Sequence, residues 1–123
     1  MKLHLNRTAG LNAVTSYGED FVVVNETRYE KSMIVLPEQI IETWNVETFD
    51  SLVPEHIDVL LALKPEIVLL GTGKRLRFPP HPLTGPLRQM QIGLEVMDTY
   101  AACRTYNILM AEGRNVAAAL ILP

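Results

Sequence analysis

The run Glu66-Ile67-Val68-Leu69-Leu70-Gly71 constrains the fold more than any other part of this chain. Pro65 stands before it and a glycine closes it, so a short apolar stretch lies between two breakers. A continuous apolar run of this length, without polar alternation, has the pattern of a strand buried on both faces. Such strands belong to mostly parallel sheets covered by helices. The preceding residues fit that placement. Pro54 sits as a first helical residue, Glu55 supports the N-terminal dipole, and Val53, Ile57, Leu60 and Leu61 fall at i, i+4, i+7 and i+8. An amphipathic helix of about ten residues therefore feeds the buried strand.

The alternation continues toward the C-terminus. Thr84 is placed to cap a short helix beginning near Pro86, and Phe78 to Pro82 read as an extended, proline-bound loop before it. Ile92, Leu94 and Val96 then alternate as a strand. Asp98 or Thr99 caps the next helix, which reaches about Glu112 and stops at Gly113, the residue type that tolerates a left-handed helix end. Val116 to Leu122 is a final apolar strand. The front third has strand chemistry instead. Ala13 to Tyr17, a turn at Gly18-Glu19-Asp20, Phe21 to Val24, Thr27, Tyr29 and Met33 to Leu36 predict a β-meander. Ile40, Ile41, Trp44 and Val46 fit either a further strand or an irregular packed segment. The expected fold is α/β: three layers around a mixed, mainly parallel sheet, with an N-terminal antiparallel β-meander.

At 123 residues the chain has the size of one domain, so residues 1–123 are read as a single domain with a core of its own. No apolar run approaches the roughly 20 residues needed to span a bilayer, so no transmembrane segment is expected. The start Met1-Lys2-Leu3-His4-Leu5-Asn6-Arg7 resembles neither a secretory signal nor a transit peptide, and Cys103 is the sole cysteine. Both point to a cytoplasmic, reducing location. The net charge of −3 disfavours nucleic acid, and no stacking aromatic sits among the bases except Phe78. The charge is segregated, however. Residues 38–66 carry seven acids against one base, Lys64, whereas residues 67–94 carry Lys74, Arg75, Arg77 and Arg88 and no acid. These bases either pair with the acidic segment or form an anion-attracting surface.

Chemistry is sparse. Gly71-Thr72-Gly73-Lys74 lies where α/β proteins hold ligands, at the carboxyl end of a buried strand. It is neither a Walker A loop nor a dinucleotide fingerprint, because one residue separates the glycines and no third glycine opens a helix. Two readings stay open: a tight turn alone, or amides that join Lys74, Arg75 and Arg77 in holding a small anion or a partner's acidic side chain. The helix after Asp98 carries apolar residues around most of its circumference and should be largely buried. Tyr100, Arg104 and Asn107 nevertheless form one stripe at i, i+4 and i+7. A partly buried Arg104 needs a partner, either an acid such as Glu95, Asp98 or Glu112, or a ligand that the stripe faces. Cys103 would need a base from His4, His56 or His81 to act as a nucleophile, and nothing in the sequence brings one close, so it reads as a small buried thiol. The histidines have no metal-binding spacing, and no catalytic residue, metal or cofactor is expected. Trp44 with Phe49 could anchor an interface, although buried aromatics of this kind more often belong to a core.

Several stretches together resemble a known family: Leu69-Leu70-Gly71-Thr72-Gly73, Ile92 through Thr99, Ala101 through Asn107, Glu112-Gly113-Arg114, and Val116 through Leu120. From about Asn12 onward the chain is similar to the small domain family that includes a mitochondrial respiratory complex I assembly factor, an adipogenesis-associated protein and many uncharacterised bacterial and archaeal members. The resemblance implies a three-layer fold around a mixed sheet and supplies no catalytic residues. For the mitochondrial branch it implies an assembly or protein-contact role. The leading expectation is therefore a non-catalytic module with an unidentified protein partner. The alternative is a small-anion or small-molecule binder, or an unrecognised enzyme, that uses the Gly71 turn and the Arg104 stripe.

Overall fold

The computed structural model describes residues 10–122. The opening segment with His4 lies outside them. Two sheets organise the chain. The first is antiparallel, in the order β1 (Val14–Gly18), β2 (Phe21–Val24), β3 (Thr27–Tyr29). Glu19 and Asp20 turn β1 into β2, and Asn25 and Glu26, both at positive φ, turn β2 into β3 as a tight two-residue hairpin requires.

The second sheet has five strands in the order β5-β4-β8-β6-β7. Its members are β4 (Met33–Leu36), β5 (Gln39–Ile41), β6 (Ile67–Gly71), β7 (Gly93–Met97) and β8 (Val116–Leu120). β6 pairs in parallel with both β7 and β8, while β4 pairs antiparallel with β5 and β8. The sheet is mixed, with its parallel part confined to β8-β6-β7. The meander is shorter than the sequence suggests. Met33 to Leu36 leave it after Tyr29 to join the main sheet, because all four residues are buried and need covering on both faces. Gln39–Ile41 form a strand, whereas Trp44 and Val46 are buried in irregular chain.

Among the described residues three α-helices complete the layers: α1 (Pro54–Leu63), α2 (His81–Gln89) and α3 (Thr99–Ala111). α1 begins at Pro54 as expected; the Val53 amide donates to His56 Nδ1, and Lys64 ends the helix in the left-handed conformation. α2 starts at His81, not near Pro86. Pro82 lies in its first turn, where a proline lacks nothing, and Thr84 is an interior buried residue instead of the cap. The helix accommodates Pro86 because Thr84 and Leu87 are buried and the Arg88 guanidinium ties back to Thr84 Oγ1 and the His81 carbonyl, at 2.8 and 2.7 Å.

The main sheet separates two cores. On one face, Met33, Val35, Leu69, Ala118 and Leu120 pack against α3 and the three-stranded sheet. On the other, Ile34, Leu36, Val68, Leu70, Ala117 and Ala119 pack against Ile57 and Leu60 of α1, Leu87 of α2 and Trp44. β8 is buried throughout, and its alanines leave room for side chains from both layers. Tyr106 is the largest fully buried side chain; its hydroxyl donates to the Asn12 carbonyl at 2.8 Å. Burial of a ring this size ranks among the larger single contributions to a core.

Candidate functional site

The carboxyl ends of β6, β7 and β8 meet at one junction. Gly71 is required there by close approach, since a Cβ would lie 2.9 Å from the Thr99 Cα. Gly73 is required by its φ of +103°. Thr99, at the start of α3, joins the three strands: its hydroxyl accepts from the Gly73 amide at 2.8 Å and donates to the Ile121 carbonyl at 2.9 Å. Its own amide donates to the Gly73 carbonyl. Thr72 fixes the loop that follows, donating from its hydroxyl to the Arg75 carbonyl at 2.7 Å and accepting from the Arg77 amide at 3.1 Å. The Thr72 amide is bound to the Met97 carbonyl. The amides of Thr72 and Gly73 are thus engaged by the protein itself. Asp98 also places its carboxylate on the Ala101 amide, which sets a negative group at the N-terminus of α3.

The basic segment after this turn is redistributed by folding. Arg77 forms a two-pronged pair with Asp50, at 2.7 and 3.1 Å, and its guanidinium stacks on Phe49. That pairing holds the Asp50 carboxyl below the usual carboxylate range. Lys74 reaches Glu19 only at 4.0 Å. Arg88 is turned to the opening of α2 and stands apart from the other three cations. Arg75 is exposed. The loop also presents Leu76 and Phe78, 49% and 74% exposed, which alternate with Arg75 and Arg77. A groove of about 360 Å³ adjoins it, with Phe49 and Ile121 among its lining and Glu47, Lys74, Arg75 and Arg77 as its charged groups. The sequence pattern pointed to the cations, with Phe78 as the one aromatic among them, and Leu76 went unremarked. The alternation of bases with large apolar residues in Lys74-Arg75-Leu76-Arg77-Phe78 was the available signal.

The Tyr100, Arg104, Asn107 stripe lies on the side of α3 that faces β1. Asn107 acts as a second strand edge: its Oδ1 accepts from the Val14 amide at 2.9 Å and its Nδ2 donates to the Val14 carbonyl at 2.7 Å. Tyr100 stacks on Tyr17 with ring centroids 5.4 Å apart, and its hydroxyl donates to the Glu19 carbonyl. Arg104 is exposed, contrary to the expectation of partial burial, and its partner is none of the proposed acids. It donates to the Tyr17 hydroxyl at 2.7 Å. The physical reason is that the apolar circumference of α3 is incomplete. Ala102, Cys103, Tyr106 and Met110 face the core, whereas Arg104 and Ile108 face out. A shallow cleft of about 380 Å³ lies between the two patches, lined by Tyr17, Gly18, Glu19, Lys74 and Tyr100. Lys74 is therefore the residue that borders both.

Cys103 is buried as expected, and burial pushes its thiol up to about 12, far from the thiolate a nucleophile needs. His56 is engaged locally, near the Asn45 carbonyl, and His81 near Arg88. Trp44 is core, with its indole N–H donated to the His56 carbonyl, and Phe49 is partly buried beneath Arg77. Among the described residues no helix is long and apolar enough to cross a membrane.

These features make the chain a three-layer α/β domain whose parallel strands end at a self-bonded glycine turn followed by a basic and apolar loop. The chain belongs to the family described as protein of unknown function (DUF498/DUF598), which matches residues 14–121. It is 40% identical over 113 residues to bovine NADH dehydrogenase (ubiquinone) 1 alpha subcomplex assembly factor 3, a match covering 89% of this chain and 60% of the bovine protein. It therefore spans less than two thirds of that relative. A Francisella tularensis protein named 13 kDa major membrane protein is 31% identical over 100 residues, covering 80% of this chain and 81% of its own length. A crystal structure from Bordetella parapertussis superposes with a TM-score of 0.87 at 39% identity, covering 94% of this chain and 98% of that one. The family resemblance carried by the sequence, through its complex I assembly factor member, is confirmed.

Proposed function

We propose that this chain is a non-catalytic, protein-binding module of the assembly type, acting as a single domain, and that its contact surface is the loop from Lys74 to Phe78. The observation that carries the reading is the exposure of Leu76 and Phe78 on a loop fastened at its base by Thr72. Large apolar side chains beside arginines are the composition of interface anchors, and a loop backbone already bonded to Thr72 has less ordering entropy to lose on binding. The bovine relative's name as an assembly factor supports the same reading. The free, buried Cys103 suits a reducing compartment such as the cytoplasm.

The anion-binding alternative has less support. The Thr72 and Gly73 amides are engaged, Arg77 faces Asp50, and Asp98 occupies the helix N-terminus, which leaves Lys74 and Arg75. The two readings separate by experiment. Capture of partners from native cells should yield a protein that the wild type retains and the Leu76→Asp/Phe78→Asp double variant loses. A small-anion site would instead show as a rise in melting temperature with inorganic phosphate that disappears in Lys74→Ala or Arg75→Ala, with partner capture unchanged in the double variant.

A further inference from the structure

We infer that the open edge of β7 is a strand-addition site, and that Glu95 both keeps it from pairing with a second copy of itself and selects a partner segment carrying a basic residue. The main sheet ends on one side at β5, only three residues long, and on the other at β7, which is five. Very short edge strands resist pairing with other chains, so β5 is protected by length and β7 is not. The backbone of β7 alternates in direction. The Gly93 amide donates to the Glu66 carbonyl and the Met97 carbonyl accepts from the Thr72 amide, so residues 93, 95 and 97 bond toward β6. Leu94 and Val96 therefore direct their N–H and C=O groups outward, along an edge that no other strand covers among the described residues.

Side chains set what this edge accepts. Leu94 and Val96 pack partly buried against the core of α1 and α2, so an added strand would extend an apolar face there. Glu95 projects from the opposite face and is exposed. In the antiparallel register that pairs β7 with its own copy over its full length, Leu94 bonds to Val96 of the copy and Glu95 stands directly opposite Glu95. Like charges placed so are destabilising, and a charged residue on an edge strand is a known defence against self-association. A segment with lysine or arginine at that position, flanked by apolar residues on the other face, meets the same edge with charge complementarity. This surface shares no residue with the Lys74 to Phe78 loop, so either reading can fail alone.

The chain itself supplies the probe. Sedimentation velocity on the wild type, on Glu95→Lys, and on an equimolar mixture should give monomers in the first two and a heterodimer of twice the mass in the third. Hydrogen exchange in the mixture should slow at the Leu94 and Val96 amides by about an order of magnitude relative to either chain alone. Because Glu95 is exposed, both chains are expected to have the same circular dichroism. A mixture that stays monomeric, or exchange at Leu94 and Val96 that does not change, would overturn the proposal. So would a wild-type dimer in which those two amides are already protected.

Discussion

Two patches flank Lys74, and both combine aromatic and basic side chains, yet they are bonded differently. In the Tyr100, Arg104, Asn107 stripe the polar atoms are turned toward the hairpin: Asn107 to the backbone of Val14, Tyr100 to the Glu19 carbonyl, Arg104 to the Tyr17 hydroxyl. Its partners lie 81 to 93 residues away in sequence, so the stripe fastens the first sheet to the last helix. In the Lys74 to Phe78 loop the bonds run the other way. The backbone is tied down by Thr72, and the side chains of Arg75, Leu76 and Phe78 are left outward. The difference teaches that similar residue types can be turned inward in one place and outward in another. Arg77 apart, the loop's internal bonds are carried by its backbone, whereas those of the stripe are carried by its side chains.

The comparison can be broken most severely at the junction the two patches share. Thr99→Val keeps the shape but removes both the acceptor for the Gly73 amide and the donor to the Ile121 carbonyl. Leaving two such groups without partners should cost about 2–4 kcal/mol in urea denaturation. A change of less than roughly half a kcal/mol would mean that water replaces the hydroxyl and that the junction does not hold the loop. On the stripe, Asn107→Ala removes both bonds to Val14 and should cost about 1–2 kcal/mol, with faster hydrogen exchange at the Val14 amide.

A smaller effect distinguishes the buried face of α3 from its exposed one. The Cys103 thiol is raised from 9.0 to about 12 mainly by desolvation. Below pH 9 the thiol holds its proton in both folded and unfolded chains, so it adds no pH dependence. As pH rises from 9 toward 12 the unfolded chain releases the proton and the folded one retains it, so stability must fall. Tyr106, whose phenol burial also pushes up, acts in the same direction. Cys103→Ala should therefore lessen the decline without abolishing it, as read from unfolding curves across that range. The native thiol should also react with a disulfide reagent at neutral pH only as fast as the protein opens.

Much of this fold was legible from local pattern. β6, α1 and the capped, glycine-terminated α3 each follow from a periodicity and a breaker within a few residues. Where legibility ended, long-range geometry took over. Nothing local tells Met33 to Leu36 to leave the hairpins and pair with β8 on one side and β5 on the other. The start of α2 was obscured because Pro80-His81-Pro82 reads as extended chain until Arg88 folds back on His81. The charge segregation seen along the chain is only partly offset in space. Asp50 comes from the acidic stretch and meets Arg77 from the basic one, and Glu19 approaches Lys74. The burial of Cys103 was readable from its neighbours, while the exposure of Arg104 depended on which arc of α3 the hairpin covers.

The most direct measurement sets the two patches side by side. Thermal denaturation and partner capture from native cells would be recorded for the wild type, for Leu76→Asp/Phe78→Asp and for Asn107→Ala. The loop variant should keep its stability within about half a kcal/mol, as exposed positions do, and lose the partner. Asn107→Ala should melt lower and retain the partner at temperatures where it is folded. A loop variant that unfolds no earlier and still captures the same protein as the wild type would contradict the assignment of that surface.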